Sequence, residues 1–261
     1  MVKYIQSDLK RAFLSKLSKY YIFGMLGLVI IANVAVIAFR IIYGSNEGTF
    51  SYNVFEYATW CFLIPYYSCF VLALIAFGRD YIHPDKNGIR ADDEAGRVSL
   101  SPTRMYLSKL IVTCLLAAIY LVIAFVFLYV ITSLFHISEG MIMWGVIKSF
   151  LDKAALSLPL WFAGICFAIM FLFIFENKWK AFAGFVILTV IIPQIIKIFS
   201  LDYFKFELFR NIRRYTITQS FGLVPYPSYP ERSVPLIVAL GFIYGIASTL
   251  VGIICYNRKA G

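Results

Sequence analysis

Six apolar runs, each long enough to cross a hydrocarbon layer, occupy most of this chain of 261 residues. They lie near Ile22–Phe39, Val54–Phe77, Leu110–Phe135, Ala154–Phe175, Ala181–Phe199 and Val234–Cys255. A bilayer core about 30 Å thick needs roughly 17–25 helical residues to cross it. Lipid offers the backbone no hydrogen-bond partner, so such runs close their bonds internally as helices. The reading is an all-α polytopic membrane protein with six spans in a single domain, 1–261. Composition agrees: 61% of residues are hydrophobic and mean hydropathy is +0.80, where soluble domains hold about 45–50% apolar residues. The apolar runs leave no length for a soluble enzyme domain.

Ahead of the first run stands 4–21, with Ile5, Leu9, Phe13, Leu17 and Tyr20 at spacings of three and four, among Lys10, Arg11, Lys16 and Lys19. That pattern predicts an amphipathic helix with a basic face, lying at the membrane surface; the alternative is a plain helical extension of the first span. The first run is too long for a signal-peptide core and no A-x-A-like site follows it, so it is expected to stay as an anchor. Pro65 and Pro159 fall inside the second and fourth runs, and Pro65 predicts a kink. Residues 200–233 interleave Tyr203, Phe204, Phe206, Phe209, Tyr215 and Phe221 with Arg210, Arg213 and Arg214, then reach Pro225, Pro227 and Pro230. Rings mixed with cations suit the headgroup zone. The stretch reads as a short amphipathic or re-entrant helical element followed by a proline-stiffened loop, either at a substrate exit or as a lid that only packs. Small residues at Gly241, Gly245 and Gly252 mark a close helix–helix interface, within the chain or between subunits.

Six spans put both termini on one side. That side carries fifteen of the 24 Lys and Arg, the other nine. The excess assigns the termini to the cytoplasm of a cell-membrane protein and 200–233 to the outside. Five spans, with the basic segment inside, is the competing topology. The net charge of +10 follows from the same rule and does not require nucleic acid as a partner. Membrane lipids are the expected surroundings.

The most charged segment is 78–109, between the second and third runs. It holds Arg79, Lys86, Arg90, Arg97, Arg104 and Lys109 against Asp80, Asp85, Asp92, Asp93 and Glu94. A mixed-charge loop of this kind is a tether or a docking surface, since patterned charge gives orientation and specificity to an encounter. Pro102 suits the first turn of a helix entering the third run.

Motifs for chemistry are missing. The chain has no P-loop, no H-E-x-x-H and no G-x-S-x-G, the sequences that would bind ATP, ligate zinc or seat a nucleophilic serine. His83 and His136 fall in loops, and Asp152–Lys153 stands at a span mouth. The five cysteines are scattered through apolar runs without a C-x-x-C pair, a pattern of packing residues and not of a disulfide framework or a metal site. The centres of the spans lack Asp, Glu, Lys and Arg. Such groups mark proton and ion pathways, so ion-coupled transport and a charge-lined channel are disfavoured.

The layout resembles the six-span permeases of the type-two ABC transporter superfamily, small bacterial form. The resemblance rests on the basic helix before the first span, the long segment between the fifth and sixth, and the charged loop. Within the loop, Asp85-Lys86-Asn87-Gly88 is similar to the family's acidic and Gly pair, with Ile89 where the family often has Thr. Gly96, after Asp92-Asp93-Glu94, fits the same role. Leu100-Ser101-Pro102-Thr103-Arg104 and Tyr106-Leu107-Ser108-Lys109 are similar to the lead into the third span. The resemblance implies a transport subunit that binds no cofactor of its own. ATP and Mg would sit on a separate ATP-binding cassette subunit, docked through a coupling helix at Asp85, Gly88, Asp92, Asp93, Glu94, Gly96, Pro102 and Arg104. A second permease chain, identical or homologous, would complete the path. Export of an amphipathic cargo, such as an antimicrobial peptide or lipid-like compound, is the expectation for spans this aromatic and uncharged. A lipid-modifying membrane enzyme and a non-transporting scaffold or sensor subunit are the other classes.

Overall fold

Apolar side chains and internal backbone bonding give helix after helix. The computed structural model describes residues 2–43, 54–78, 101–135, 144–175, 177–200, 207–224 and 233–260. The chain is an all-α polytopic membrane protein. Its elements are α1 (Val2–Leu14), α2 (Lys16–Tyr43), α3 (Val54–Trp60), α4 (Leu63–Phe77), α5 (Pro102–Phe135), α6 (Trp144–Ile174), α7 (Lys178–Val186), a π-helical turn (Ile187–Ile191), α8 (Ile192–Phe199), α9 (Glu207–Arg213), α10 (Ile217–Leu223) and α11 (Ser233–Ala260). Among the described residues five helices are long and apolar enough to cross a membrane, and a sixth span is made when α3 and α4 count as one bent pair.

α6 is the axis. Of its most apolar stretch 72% is buried, against 11% for the helices of the first and fifth spans. α4, α5 and α11 pack around it. The approach to α11 is close because glycine permits it. A Cβ on Gly241 would lie 2.5 Å from the Pro159 carbonyl carbon, and one on Gly245 would lie 2.6 Å from the Phe162 ring. Gly252 faces the ring of Tyr106 on α5. All three glycines therefore serve packing within the chain.

The structure moves several boundaries. The amphipathic stretch 4–21 is not one helix: the chain breaks at Ser15, whose Oγ accepts a bond from the Ser18 amide (3.1 Å) as the N-cap of α2. The surface helix ends at Leu14, and residues 16–21 belong to the first span. Its inward face is Ile5, Asp8, Leu9 and Ala12, while Phe13, Leu17 and Tyr20 are exposed. α5 begins eight residues before the apolar run does, because helix continues wherever propensity allows it and not only where lipid demands it. Its 34 residues extend about 50 Å at 1.5 Å per residue, well beyond the hydrocarbon core. α6 likewise starts at Trp144 and not near Ala154.

The second span is broken, with α3 and α4 meeting at 60°. The break falls at Cys61–Phe62, upstream of Pro65. Proline has no N–H for the carbonyl four residues back, which is that of Cys61; the Ile64 amide takes it instead at 2.9 Å. The Trp161 indole N–H on α6 donates to the Phe62 carbonyl at 2.9 Å, so the broken backbone is tied to the central helix. After the fifth span, α9 lies against α8 through Phe199 and Phe209. α10 buries Ile217 and Phe221, with the Phe221 ring 5.3 Å from that of Tyr66. The expected short helical element of 200–233 is thus two helices. Residues 225–232, where the proline-stiffened loop is expected, lie outside the described residues.

Candidate functional site

The expected docking stretch is represented by its ends. Asp85, Gly88, Asp92, Asp93, Glu94 and Gly96 lie outside the described residues. Pro102 opens α5, where its missing N–H is harmless, and Ser101 supplies the first helical carbonyl to the Met105 amide (3.0 Å). Arg104 is exposed one turn along. Before the stretch, α4 ends at Gly78, which has φ +68°. L-residues with a Cβ rarely adopt that conformation.

Both ends are gathered by α1. The ammonium of Lys109, on α5, lies 2.8 Å from Asp8 Oδ2 on α1. It also donates to the Ala76 carbonyl at the end of α4, at 3.3 Å. The rings of Tyr4 and Phe77 have their centroids 5.8 Å from it. Asp8 Oδ1 is met by the Arg11 guanidinium at 3.2 Å, and that guanidinium lies 3.5 Å from where a Cβ on Gly78 would stand. Asp8 is 1% exposed and Lys109 2%. Asp8 and Lys109 are therefore taken out of water together. Such a pair persists because each charge keeps a partner, and removing one partner costs about 3–5 kcal/mol.

Around this joint the other helix ends close in. Tyr106 is fully buried one turn before Lys109 and packs on Phe173 of α6 at 4.8 Å between ring centroids. The Tyr256 hydroxyl reaches the Met105 sulfur at 3.3 Å. Asn257 Nδ2 donates to Thr103 Oγ1 at 3.2 Å, and Lys259 bonds the Ile174 carbonyl. The end of α11, the end of α6 and the start of α5 thus share one surface with α1. On the neighbouring outer surface Lys3, Lys10, Lys16, Lys19, Lys180 and Arg258 are exposed. Among the described residues no three His, Cys, Asp or Glu side chains gather as a metal site.

Lys109 closes the charged stretch in the sequence, whereas no motif marks Asp8. A signal existed. Asp8 is the only acidic residue before Glu47, and it stands on the apolar face of an otherwise basic helix. An isolated carboxylate there needs a cation on another element. Comparison with known protein families and with characterised proteins finds no match for this chain.

Proposed function

We propose that this chain is the membrane-spanning permease subunit of an ABC transporter, exporting an amphipathic substrate across the cell membrane with a separate ATP-binding subunit as its motor. A second permease chain completes the path, and both termini and the 79–101 stretch face the cytoplasm. The observation that carries this reading is the construction of the loop's exit. Residues 102–109 continue α5 as a rigid helical stalk below the span, and that stalk is pinned to α1 by a buried ion pair. A push arriving at Pro102 would pass along this helix into the body. The exposed basic residues on that face match the excess expected of a cytoplasmic side, which is where ATP is.

Purification in mild detergent tests the reading directly: an ATP-binding subunit is expected to accompany the full chain, and its absence overturns the proposal. If it is present, combined substitution of Asp85, Asp92, Asp93 and Glu94 by Asn or Gln is expected to reduce its retention at least tenfold.

A further inference from the structure

We infer that α1 is itself a moving part of the coupling path, with Asp8 and Lys109 as the positioning residues that make it follow the charged stretch. The energy input rests on the proposed function; the joint itself does not. Three contacts define it. Lys109 holds Asp8 from the α5 side, the same ammonium holds the Ala76 carbonyl at the end of α4, and Arg11 stands over Gly78 while bonding Asp8. One turn of α1 thereby grips both the entrance and the exit of residues 79–101. The α5 end cannot shift against α1 without separating charges that water does not reach, and the α4 end cannot shift without giving up the bond from the Lys109 ammonium to the Ala76 carbonyl. The direction of transmission follows from what α1 joins. It runs into α2 across the single break at Ser15. That break is short and bonded: Ser18 Oγ donates to the Phe13 carbonyl at 2.9 Å and also pairs with the Tyr120 hydroxyl on α5. Displacement of the loop ends therefore reaches the first span through α1, as well as the third span through α5. The first span is far less enclosed by the rest of the chain than the central helix is, 11% of its apolar window being buried against 72%.

The test separates a link from a mere stabiliser. Asp8→Asn and Lys109→Met each leave a charged partner behind and lower thermal stability. The double variant D8N/K109M removes both buried charges, leaves only the partly exposed Arg11 without its carboxylate, and recovers most of that stability. If the pair is a link, the double variant still fails in two readouts. In full-length chain reconstituted in nanodiscs, amide hydrogen exchange over residues 2–14 is at least tenfold faster than in the wild type. In the complex with the ATP-binding subunit, ATP hydrolysis persists while cargo export falls at least tenfold. Lys109→Arg, which keeps a cation, retains both properties. Wild-type exchange over 2–14 in the double variant, or export that returns along with stability, overturns the inference. Failure of an ATP-binding subunit to accompany the wild-type chain overturns the proposed function instead, and leaves the exchange result to decide whether the joint exists.

Discussion

At the end of the bundle that bears the charged stretch, helices meet through ions and hydrogen bonds as well as through rings: Asp8 with Lys109, Asn257 with Thr103, Lys259 with the Ile174 carbonyl, and Phe173 with Phe77, Tyr106 and Tyr256. Toward the other end they meet through rings. Phe150 has Phe55 at 5.6 Å, Phe62 at 5.6 Å and Phe125 at 5.1 Å, and Phe62 has Trp161 at 5.3 Å between centroids. The two chemistries respond differently to displacement. Stacked and edge-on rings lose contact gradually, and neighbours refill part of the space. A buried ion pair specifies one arrangement and penalises every other, because each separated charge is left without solvent. The ring-packed end is suited to staying as it is, the ionic end to being either engaged or not.

This contrast can be broken at several points. The largest effect is expected for Asp8→Asn, which strands the Lys109 ammonium: about 3–5 kcal/mol of stability is lost, read as a fall in thermal unfolding temperature in detergent. Lys109→Met falls below it, since Asp8 keeps Arg11. At the ring-packed end, Trp161→Phe preserves the ring but removes the donor to the Phe62 carbonyl. A loss of about 1–3 kcal/mol is expected from the unpaired acceptor. Gly241→Ala lies between the two ends and tests packing alone. Its new methyl meets the Pro159 backbone and costs about 1–3 kcal/mol, with helix separation measurable by cross-linking of α6 to α11. The smallest effect is expected for Asn257→Ala, below about 1 kcal/mol, because its bond to Thr103 is exposed and water replaces it. If Asn257→Ala equalled Asp8→Asn, burial would not be what distinguishes the ionic joint.

The spans were legible because lipid imposes a length and an apolar content that a chain must display. Caps were legible too in principle: Ser15 and Asn177, whose Oδ1 accepts from the Trp179 amide at 2.8 Å, are residue types that start helices. What hydropathy cannot show is where a helix continues into polar sequence. For that reason α5 begins at Pro102 and not near Leu110. Pro65 announced a bend but not its position, which is set upstream by the carbonyl the proline abandons. The Asp8–Lys109 pair was the least legible feature. Periodicity assigns a residue to a face and says nothing of which residue a hundred positions away will share it; only the isolation of one acidic residue hinted at a partner.

The π-helical turn in the fifth span settles a geometric problem. Ala181, Phe185 and Thr189 are buried, one every four residues. In an uninterrupted α-helix a four-residue step overshoots a full circle by about 40°, so a line of such residues spirals away from its neighbour. The wider turn at Ile187–Ile191 takes back that drift. Beyond it no residue of α8 is buried until Ser200 at its end, where Arg213 reaches the Ser200 hydroxyl at 3.2 Å and Gln219 at 3.0 Å. The fifth span thus works like a dial set by one residue. Deleting any single position from 187–191 would turn α8 by about 100° against α7, carrying Ser200 and the Arg213 bonded to it round together and setting α9 and α10 against the seat of Phe221 on Tyr66, in a helix that had lost nothing but its count.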